Sequence, residues 1–320
     1  MRWTEAEIGD QGGKTFLVTG ANSGLGYETM RALLAKGARV IMAVRSEAKG
    51  RAAVQKLGGG ELRIVDLADL DSVRALAAGL RRDRVAIDVL VNNAGVMMPP
   101  RTLSAQGHEL QFAANHLGHF ALTGLLLGGG NDGNDGSDGN DGNDGNDSSD
   151  SLIRERVVTV SSTLHRPGRI HYDDLDGAGS YSPTRYYSQS KFANVLFALE
   201  LDRRLRRAGS PVRSVLAHPG YSATNLQTSG PTGVMKAFMR IGNAVLAQPA
   251  ARGALNQLYA AVDPRAEGGQ FIGPDGMGEN RGWPSVVEPV ERAKDPADAQ
   301  RLWTLSEQLT GVQFEGARSR

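Results

Sequence analysis

Short apolar runs alternate with longer amphipathic stretches from the start of the chain to about residue 217. The runs are rich in Val, Ile and Leu and are bounded by Gly and Asp, as buried strands of parallel sheets tend to be. The pattern predicts strands over residues 15–19, 39–44, 62–65, 87–91, 156–160 and 212–217. It predicts helices over residues 24–36, 47–57, 70–80, 103–127 and 183–207. Strands that alternate with helices indicate right-handed crossovers and a parallel sheet, so the predicted fold class is α/β.

The length of the chain, 320 residues, allows one large α/β domain or two small ones. Because the alternation is continuous apart from one polar insert, we expect a single doubly wound Rossmann domain over residues 1–320, with a parallel sheet of about seven strands. Residues 221–250 are predicted to form an apolar lid over a substrate or, alternatively, a surface helix, since they contain Val234, Met235, Phe238, Met239 and Ile241.

The polar insert covers residues 128–150 and consists mainly of Gly-Asn-Asp triplets, with Ser137 once in place of Asn. It contains seven Asp and, between Gly130 and Asp147, no apolar side chain, so it is predicted to be a disordered acidic loop. We expect it at the edge of the sheet opposite the active site, because it joins a helix to the start of a strand. A calcium loop is the alternative, but the insert lacks the terminal Glu of such loops.

The amino-acid composition excludes or disfavours several classes of site and function. The absence of Cys excludes structural disulfides, thiolate zinc sites and cysteine nucleophiles, so redox chemistry requires a cofactor. His116 and His119 share a helix face without a third ligand, and no metal site is predicted. The 36 basic residues outweigh the acids outside the insert, but they are dispersed and not interleaved with aromatics, which argues against nucleic-acid binding. No signal peptide or membrane span is evident, so a cytoplasmic location is expected.

A glycine cluster lies where the first strand ends and the first helix begins. Glycines there let the backbone approach a pyrophosphate and let the helix N-terminus face its charge. The alternative is an ordinary turn, and the location favours the phosphate loop. The candidate cofactor-binding residues are Gly20, Asn22, Ser23, Gly24, Leu25 and Gly26.

The end of the second strand bears on the choice of dinucleotide. An NAD site usually has an acidic residue there to bind the ribose 2′-hydroxyl, whereas a 2′-phosphate favours Arg. The chain has Arg45 and no acid at this point, so NADP(H) is preferred over NAD(H), although Arg45 could also be a solvated surface residue. Asp66 and Leu67, after the third strand, are expected beside the adenine. The turn Asn92 to Gly95 offers Asn93, Ala94 and Gly95 as further cofactor contacts.

Tyr187 and Lys191 are four residues apart on a predicted helix and therefore share a face. Hydride transfer to a carbonyl leaves an alkoxide that must take a proton, so a positioned acid is needed. A charge about 4 Å from Tyr187 could lower its pKa by about three units, and Lys191 is the candidate. By itself the pair is equally consistent with a core Tyr and a snorkelling Lys. Ser161 and Ser162 end the preceding strand and could bond the substrate oxygen.

Together these residues resemble the short-chain dehydrogenase/reductase family over nearly the whole chain outside the insert. The resemblance implies an NAD(P)-dependent oxidoreductase in which Tyr187 exchanges the proton, Lys191 also holds the nicotinamide ribose, Ser162 orients the carbonyl and Asn115 anchors a relay water. It also implies that Pro219, Gly220 and Thr224 flank the nicotinamide. Homo-oligomers built on the long helices are usual in the family.

Within the family, the sequences around Ser162 and Lys191, and Leu302-Trp303, resemble the branch that contains retinol dehydrogenases and related bacterial enzymes. The resemblance implies a small apolar aldehyde, ketone or alcohol as substrate. The alternative is a non-catalytic NADP(H) sensor on the same fold. Such a sensor would normally have lost the Tyr or the Lys, and both are present here.

Overall fold

A computed structural model of the chain describes residues 2–128, 151–221 and 248–314. The first half alternates as predicted: β1 (Thr15–Thr19), α1 (Gly24–Leu34), β2 (Arg39–Val44), α2 (Glu47–Leu57), β3 (Glu61–Ile64), α3 (Leu70–Arg82) and β4 (Ile87–Asn92). Then follow α4 (Leu110–Phe112), a π-helical turn (Ala113–Leu117), α5 (Gly118–Leu126), β5 (Ile153–Val160), α6 (Pro183–Arg207) and β6 (Arg213–Ala217).

The last part of the described chain contains four elements that were not predicted from the sequence. They are α7 (Ala250–Val262), β7 (Phe271–Pro274), β8 (Pro284–Val287) and α8 (Pro296–Thr310). Short 3-10 turns cover Glu5–Glu7, Thr163–His165, Met277–Glu279 and Glu291–Lys294. Three earlier predictions concern residues largely outside the described ones: the acidic insert, the lid region 221–250 and Thr224.

The sheet has eight strands in the order β3-β2-β1-β4-β5-β6-β7-β8. Every neighbouring pair is parallel except β7 with β8, which form an antiparallel hairpin. The prediction of a doubly wound parallel sheet of about seven strands is therefore confirmed, with one antiparallel strand added at the edge. The strand order reverses between β1 and β4, and in such sheets ligands bind at the carboxyl edge of that reversal.

Both faces of the sheet are covered, because alternate strand residues point to opposite sides. Leu17 belongs to the apolar core under α3, α5 and α6, whereas its neighbours Phe16 and Val18 belong to the core under α1, α2 and α7. All five residues of β1 are buried. The structure is therefore a three-layer sandwich in which the strand ends at the carboxyl edge are the accessible part of the sheet.

The predicted helix over residues 103–127 begins seven residues too early. The helical stretch starts at Leu110, because Glu109 caps it by accepting a hydrogen bond from the Phe112 N–H at 2.8 Å. Before it, Leu103 forms an antiparallel bridge with Glu109, and Gly107 takes a positive φ of 83° in the turn between them. Leu103 and Leu110 are seven residues apart, a spacing that also fits a helix, so the pattern placed the start too early.

The C-terminal helix α8 covers the outer faces of α5 and α6. Trp303 lies with its ring centroid 5.1 Å from Phe120 and 5.9 Å from Phe197. Ser306 forms a 2.8 Å hydrogen bond with His116. Helix α8 is therefore packed against α5 and α6 within one chain. The homo-oligomer stays a prediction.

The residues that flank the acidic insert lie at the amino-terminal edge of the sheet. The Leu152 N–H donates to the Leu126 carbonyl at 2.8 Å, and Ile153 pairs with Ile87 at the start of β4. Parallel strands all begin at this edge and end at the opposite one, where the predicted site residues lie. The anchor points of residues 128–150 are therefore remote from the candidate site.

We expect that replacing residues 128–150 by a short linker leaves turnover nearly unchanged, because both anchor points lie at the edge of the sheet opposite the site. The measurement is steady-state kinetics of the shortened and full-length proteins, with circular dichroism as the check on folding. A folded variant that loses more than roughly tenfold in turnover would contradict this placement.

Candidate active site

The loop between β1 and α1 lines a cavity of about 250 Å³ at the carboxyl edge of the sheet. Gly20 has a positive φ of 69°, and a Cβ added to it would lie 2.9 Å from the backbone of Ala94, so only glycine fits. Ser23 occupies the N-cap of α1 but makes no side-chain capping bond. The N–H groups of the first turn are therefore free to bind an anion.

The cavity brings together most of the predicted cofactor-binding residues. Those that line it are Gly20, Asn22, Ser23, Gly24, Leu25, Gly26, Arg45, Asp66, Leu67, Asn93, Ala94 and Gly95. Tyr187, Lys191, Pro219 and Gly220 do not line the cavity itself, and Thr224 lies outside the described residues. The sequence prediction missed Ala43, Val44, Val65, Ala68, Val96, Leu110 and Ala114, which complete the wall.

Arg45 and Asp66 form the polar end of this cavity. Arg45 Nη1 lies 3.8 Å from Asp66 Oδ2, and 71% of the Arg45 side chain is exposed. An exposed ion pair at this distance contributes well under about 1 kcal/mol, so the guanidinium is available to another anion. Asp66 is in turn oriented by the Ala68 N–H, which donates to Oδ1 at 3.0 Å.

Thr19 connects the glycine loop to the turn after β4, a role that the sequence prediction did not assign. Its hydroxyl oxygen accepts hydrogen bonds from the N–H groups of Asn93 and Ala94, both at 2.9 Å. It also lies 2.9 Å from His119 Nε2, while His119 Nδ1 lies 3.0 Å from the Asn115 carbonyl. The available signal was the position of Thr19 directly before Gly20, at the start of the glycine cluster.

His119 is neutral in this network, because burial lowers its pKa to about 4. Its Nδ1 must carry the proton, since a carbonyl can only accept. The Thr19 hydroxyl then donates to Nε2. Hence the two predicted parts of the site, the Asn93 turn and Asn115, are joined through Thr19 and His119.

Asn115 sits in the π-helical turn, a geometry that is frequent at functional sites. Its Oδ1 accepts from the Val96 N–H at 2.7 Å, and its Nδ2 donates to the Val96 carbonyl at 3.0 Å and to Ser190 Oγ at 2.9 Å. A Cβ added to Gly95 would lie 3.0 Å from Asn115 Oδ1 and 3.7 Å from Lys191 Nζ. Asn115 is thus held between the loop after β4 and α6, beside Lys191.

Tyr187 and Lys191 share a face of α6, as predicted, and both are almost fully buried. Lys191 Nζ lies 5.8 Å from the Tyr187 ring centroid and donates to the Val160 carbonyl at 3.2 Å. Burial lowers the pKa of Lys191 to about 8. Two ionisable side chains are therefore buried next to the end of β5, two residues before Ser162.

The expected lowering of the Tyr187 pKa by Lys191 is not seen in the protein alone. Burial raises the pKa of Tyr187, and its hydrogen bond with Ser162 offsets only part of that rise. The prediction counted the attraction of a nearby positive charge and left out the cost of taking a phenolate out of water. The phenol is therefore held protonated.

The two serines at the end of β5 have different environments. Ser161 is buried, and its hydroxyl donates to the Lys191 carbonyl at 2.8 Å. Ser162 is partly exposed, bonds Tyr187 and accepts from the Leu164 N–H at 3.2 Å. Of the two serines, Ser162 therefore lies beside the Tyr187 hydroxyl, and its catalytic role stays a prediction.

The segment after β6 carries Pro219 and Gly220 to the same edge of the sheet. Gly220 has a φ of 64°, and the Tyr221 N–H donates to the Asn280 carbonyl at 2.8 Å. His218, which precedes them, is fully buried and lies 3.0 Å from Glu279. Glu279 comes from the β7–β8 hairpin and was not predicted, since its sequence surroundings carry no recognisable pattern.

Comparisons with known proteins agree with this geometry. The family model described as short chain dehydrogenase matches residues 14–137. Retinol dehydrogenase 14 of Homo sapiens is 38% identical over 330 residues, covering 95% of this chain and 89% of that protein. Retinol dehydrogenase 12 of Bos taurus is 34% identical over 310 residues, covering 95% and 88%. The chain belongs to the short-chain dehydrogenase/reductase family.

Solved structures support the same assignment. An uncharacterized protein from Mycobacterium Paratuberculosis superposes with a TM-score of 0.79 and 43% identity, covering 98% of this chain and 99% of that one. The actinorhodin polyketide ketoreductase solved with NADPH shares the fold, with a TM-score of 0.57 and 23% identity over 82% of this chain and 95% of that one. As a member of the short-chain dehydrogenase/reductase family, the protein is an oxidoreductase, and this family binds NAD(P)(H). No helix within residues 2–128, 151–221 or 248–314 is long and apolar enough to cross a membrane.

Replacing Lys191 by Met should stabilise the fold at pH 7, because burial of the ammonium is costly: the shift from 10.5 to about 8 corresponds to up to about 3 kcal/mol. Between these pKa values the unfolded chain retains a proton that the folded protein has released, so wild-type stability rises with pH in that window. The gain in the free energy of unfolding of the variant over the wild type should therefore become smaller as the pH rises from 8 to 10.5. Urea unfolding at pH 7 and 9.5 measures it, and a less stable variant at pH 7 would contradict the assignment.

Proposed function

We propose that this protein is an NADP(H)-dependent oxidoreductase that interconverts an apolar alcohol and its aldehyde or ketone, with Tyr187 as the general acid/base. The observation that carries the proposal is the convergence of Tyr187, Ser162 and Lys191 beside a glycine-lined cavity at the carboxyl edge of the sheet. This convergence also favours catalysis over the sensor alternative, because a sensor has no need for a buried Lys behind a buried Tyr.

The cavity suits a dinucleotide. Its wall has the uncapped helix N-terminus of α1 for a pyrophosphate, the glycines that let the backbone approach it, and Arg45 with Asp66 at the polar end. We assign Arg45 to the 2′-phosphate and Asp66 and Leu67 to the adenosine. The bound cofactor supplies or takes up the hydride.

The residues of the site then have separate tasks. Ser162 orients the substrate oxygen by a hydrogen bond and stabilises the charge that develops there. Tyr187, held protonated by burial, donates its proton to that oxygen when the carbon is reduced, and takes it back when the alcohol is oxidised. Lys191 supplies a positive charge near the resulting phenolate, and Asn115 joins the loop after β4 to α6 through its bonds with Val96 and Ser190. The relay water at Asn115 stays a prediction.

An apolar substrate is supported by the relatives named retinol dehydrogenases and by the side chains near the site. Met97 and Met98 follow the Gly95 turn, and Met98 Sδ lies 3.7 Å from Thr184 Oγ1, one helical turn before Tyr187. Methionine side chains adapt to apolar ligands of varied shape. The cytoplasmic location and the homo-oligomer stay predictions of the sequence.

Tyr187→Phe should lower turnover by at least about 100-fold, because it removes only the proton donor, and should leave NADPH binding intact. The measurement is oxidation of NADPH or NADH across a panel of apolar aldehydes and ketones, together with the dissociation constants of both cofactors. Tyr186→Phe is the matched control, since Tyr186 donates to the Asp174 carbonyl away from the site. Binding without turnover of any compound by the wild type would revive the sensor reading.

Arg45→Gln should weaken NADPH binding by about tenfold or more, because a charge-assisted bond to the 2′-phosphate is lost, and should leave NADH binding unchanged. Arg51→Gln is the control, since Arg51 lies exposed on α2 and pairs with Glu47. Fluorescence titration with both cofactors measures the effect. Equal weakening for NADH and NADPH would show that Arg45 does not read the 2′-position.

A further inference from the structure

The β7–β8 hairpin turns at the carboxyl edge of the sheet, above the ends of β5 and β6. Its loop, residues 275–283, is closed by the Asp275 N–H, which donates to the Trp283 carbonyl at 2.9 Å, and by the Trp283 N–H, which donates to Asp275 Oδ1 at 2.8 Å. Within it, Glu279 has a positive φ of 55°. For a residue with a side chain this conformation costs about 1 kcal/mol or more, so the surroundings must hold it.

The Glu279 carboxylate joins two segments that are far apart in the sequence. Its Oε2 lies 3.0 Å from His218 Nε2, and its Oε1 accepts from Arg166 Nη2 at 2.5 Å. His218 Nδ1 accepts from the Gly220 N–H at 3.2 Å, so Nε2 carries the proton and donates to Glu279. Both carboxylate oxygens are therefore in use, one on each segment.

The contact between Glu279 and Arg166 connects the hairpin loop to the turn that begins at Ser162. Ser162 is the N-cap of the 3-10 turn Thr163–His165, and Arg166 is its C-cap. The Ser162 carbonyl accepts from the His165 N–H at 3.0 Å and the Thr163 carbonyl accepts from the Arg166 N–H at 3.1 Å, so backbone hydrogen bonds connect Ser162 to Arg166 through the turn. A displacement of Arg166 would therefore also change the position of the Ser162 backbone.

The contact between Glu279 and His218 connects the hairpin loop to the segment that contains Pro219 and Gly220. The hairpin loop also contacts this segment through its backbone, since a Cβ added to Gly220 would lie 2.5 Å from the Asn280 carbonyl oxygen. That same oxygen accepts from the Tyr221 N–H at 2.8 Å. The loop therefore holds this segment by side chain and backbone together.

We propose that Glu279 is a positioning residue that clamps the Ser162 turn to the His218–Tyr221 segment and so sets the distance between the substrate-orienting hydroxyl and the segment predicted to flank the nicotinamide. The inference rests on the proposed function for its catalytic consequence. The ion pair with Arg166 is partly exposed and adds little to the stability of the fold. The ion pair instead sets the position of the Ser162 hydroxyl relative to the His218–Tyr221 segment. A misplacement of a reacting group by about 1 Å can lower the rate by about 100-fold.

The test uses the full chain with Glu279→Gln, Arg166→Met and the double variant. A Gln at this position can still accept from His218, but its amide nitrogen cannot accept from Arg166. Each single change should lower kcat by about tenfold, and the double variant should be no worse than either, because both remove the same contact. The dissociation constant of NADPH should stay within about threefold, since the cavity residues are unchanged.

Two further readouts separate positioning from a structural role. The free energy of unfolding should change by less than about 1 kcal/mol, as in the control Glu288→Gln, which breaks only an exposed pair with Lys294. Amide hydrogen exchange, which needs no turnover, should rise at Leu164 and His165 in Glu279→Gln and Arg166→Met, and stay unchanged in the control.

The outcomes distinguish this inference from the proposed function. If wild-type protein turns over substrate while Glu279→Gln has unchanged kcat and unchanged exchange, the clamp is wrong and the oxidoreductase proposal stands. If the two single losses multiply in the double variant, Arg166 and Glu279 act separately and the clamp is also wrong. If wild type has no turnover but exchange rises as expected, the clamp is correct and the proposed reaction is wrong.

Discussion

The parallel pairing of β1 with β4 is the constraint on which the site depends. The strand order reverses there, so the connections from the two strands leave in opposite directions and a crevice opens between them. Thr19 closes the bottom of this crevice by accepting hydrogen bonds from both N–H groups of the Asn93 turn. Through His119 the same hydroxyl is linked to the π-helical turn that carries Asn115. The hydrogen bonds of Thr19 and His119 therefore fix the glycine loop after β1, the turn after β4 and the π-helical turn relative to one another.

Burying the ionisable side chains of the site lowers the stability of the fold, and the rest of the structure must offset this loss. Lys191 and Tyr187 are buried on α6 at positions where apolar side chains would stabilise the domain more, since burial disfavours the charged form of each group and shifts its pKa. The apolar cores on both faces of the sheet supply the compensation. A buried Lys that could be replaced with a gain in stability is typical of a residue kept for its chemistry.

Two additions at the C-terminal end of the chain distinguish this structure from the sheet and helices predicted. Helix α8 packs on α5 and α6, with Trp303 between Phe120 and Phe197. The antiparallel strand β8 carries a hairpin loop to the carboxyl edge, where Glu279 contacts His218 and Arg166. The first addition extends the apolar packing of the domain. The second reaches the site, because antiparallel pairing brings the turn to that edge.

The alternation of strands and helices, the glycine loop and the shared helix face of Tyr187 and Lys191 could be predicted from the sequence. Each depends on local geometry: the period of buried residues, the room that glycine leaves, and the pitch of a helix. Which distant groups meet could be learned only from the folded structure. That Thr19 contacts His119, that Asp66 lies beside Arg45 and that Glu279 contacts His218 follow from strand order, which no local pattern records. The same holds for the Tyr187 pKa, since burial depends on all the elements packed around a side chain, whereas spacing along a helix reports only its nearest charge.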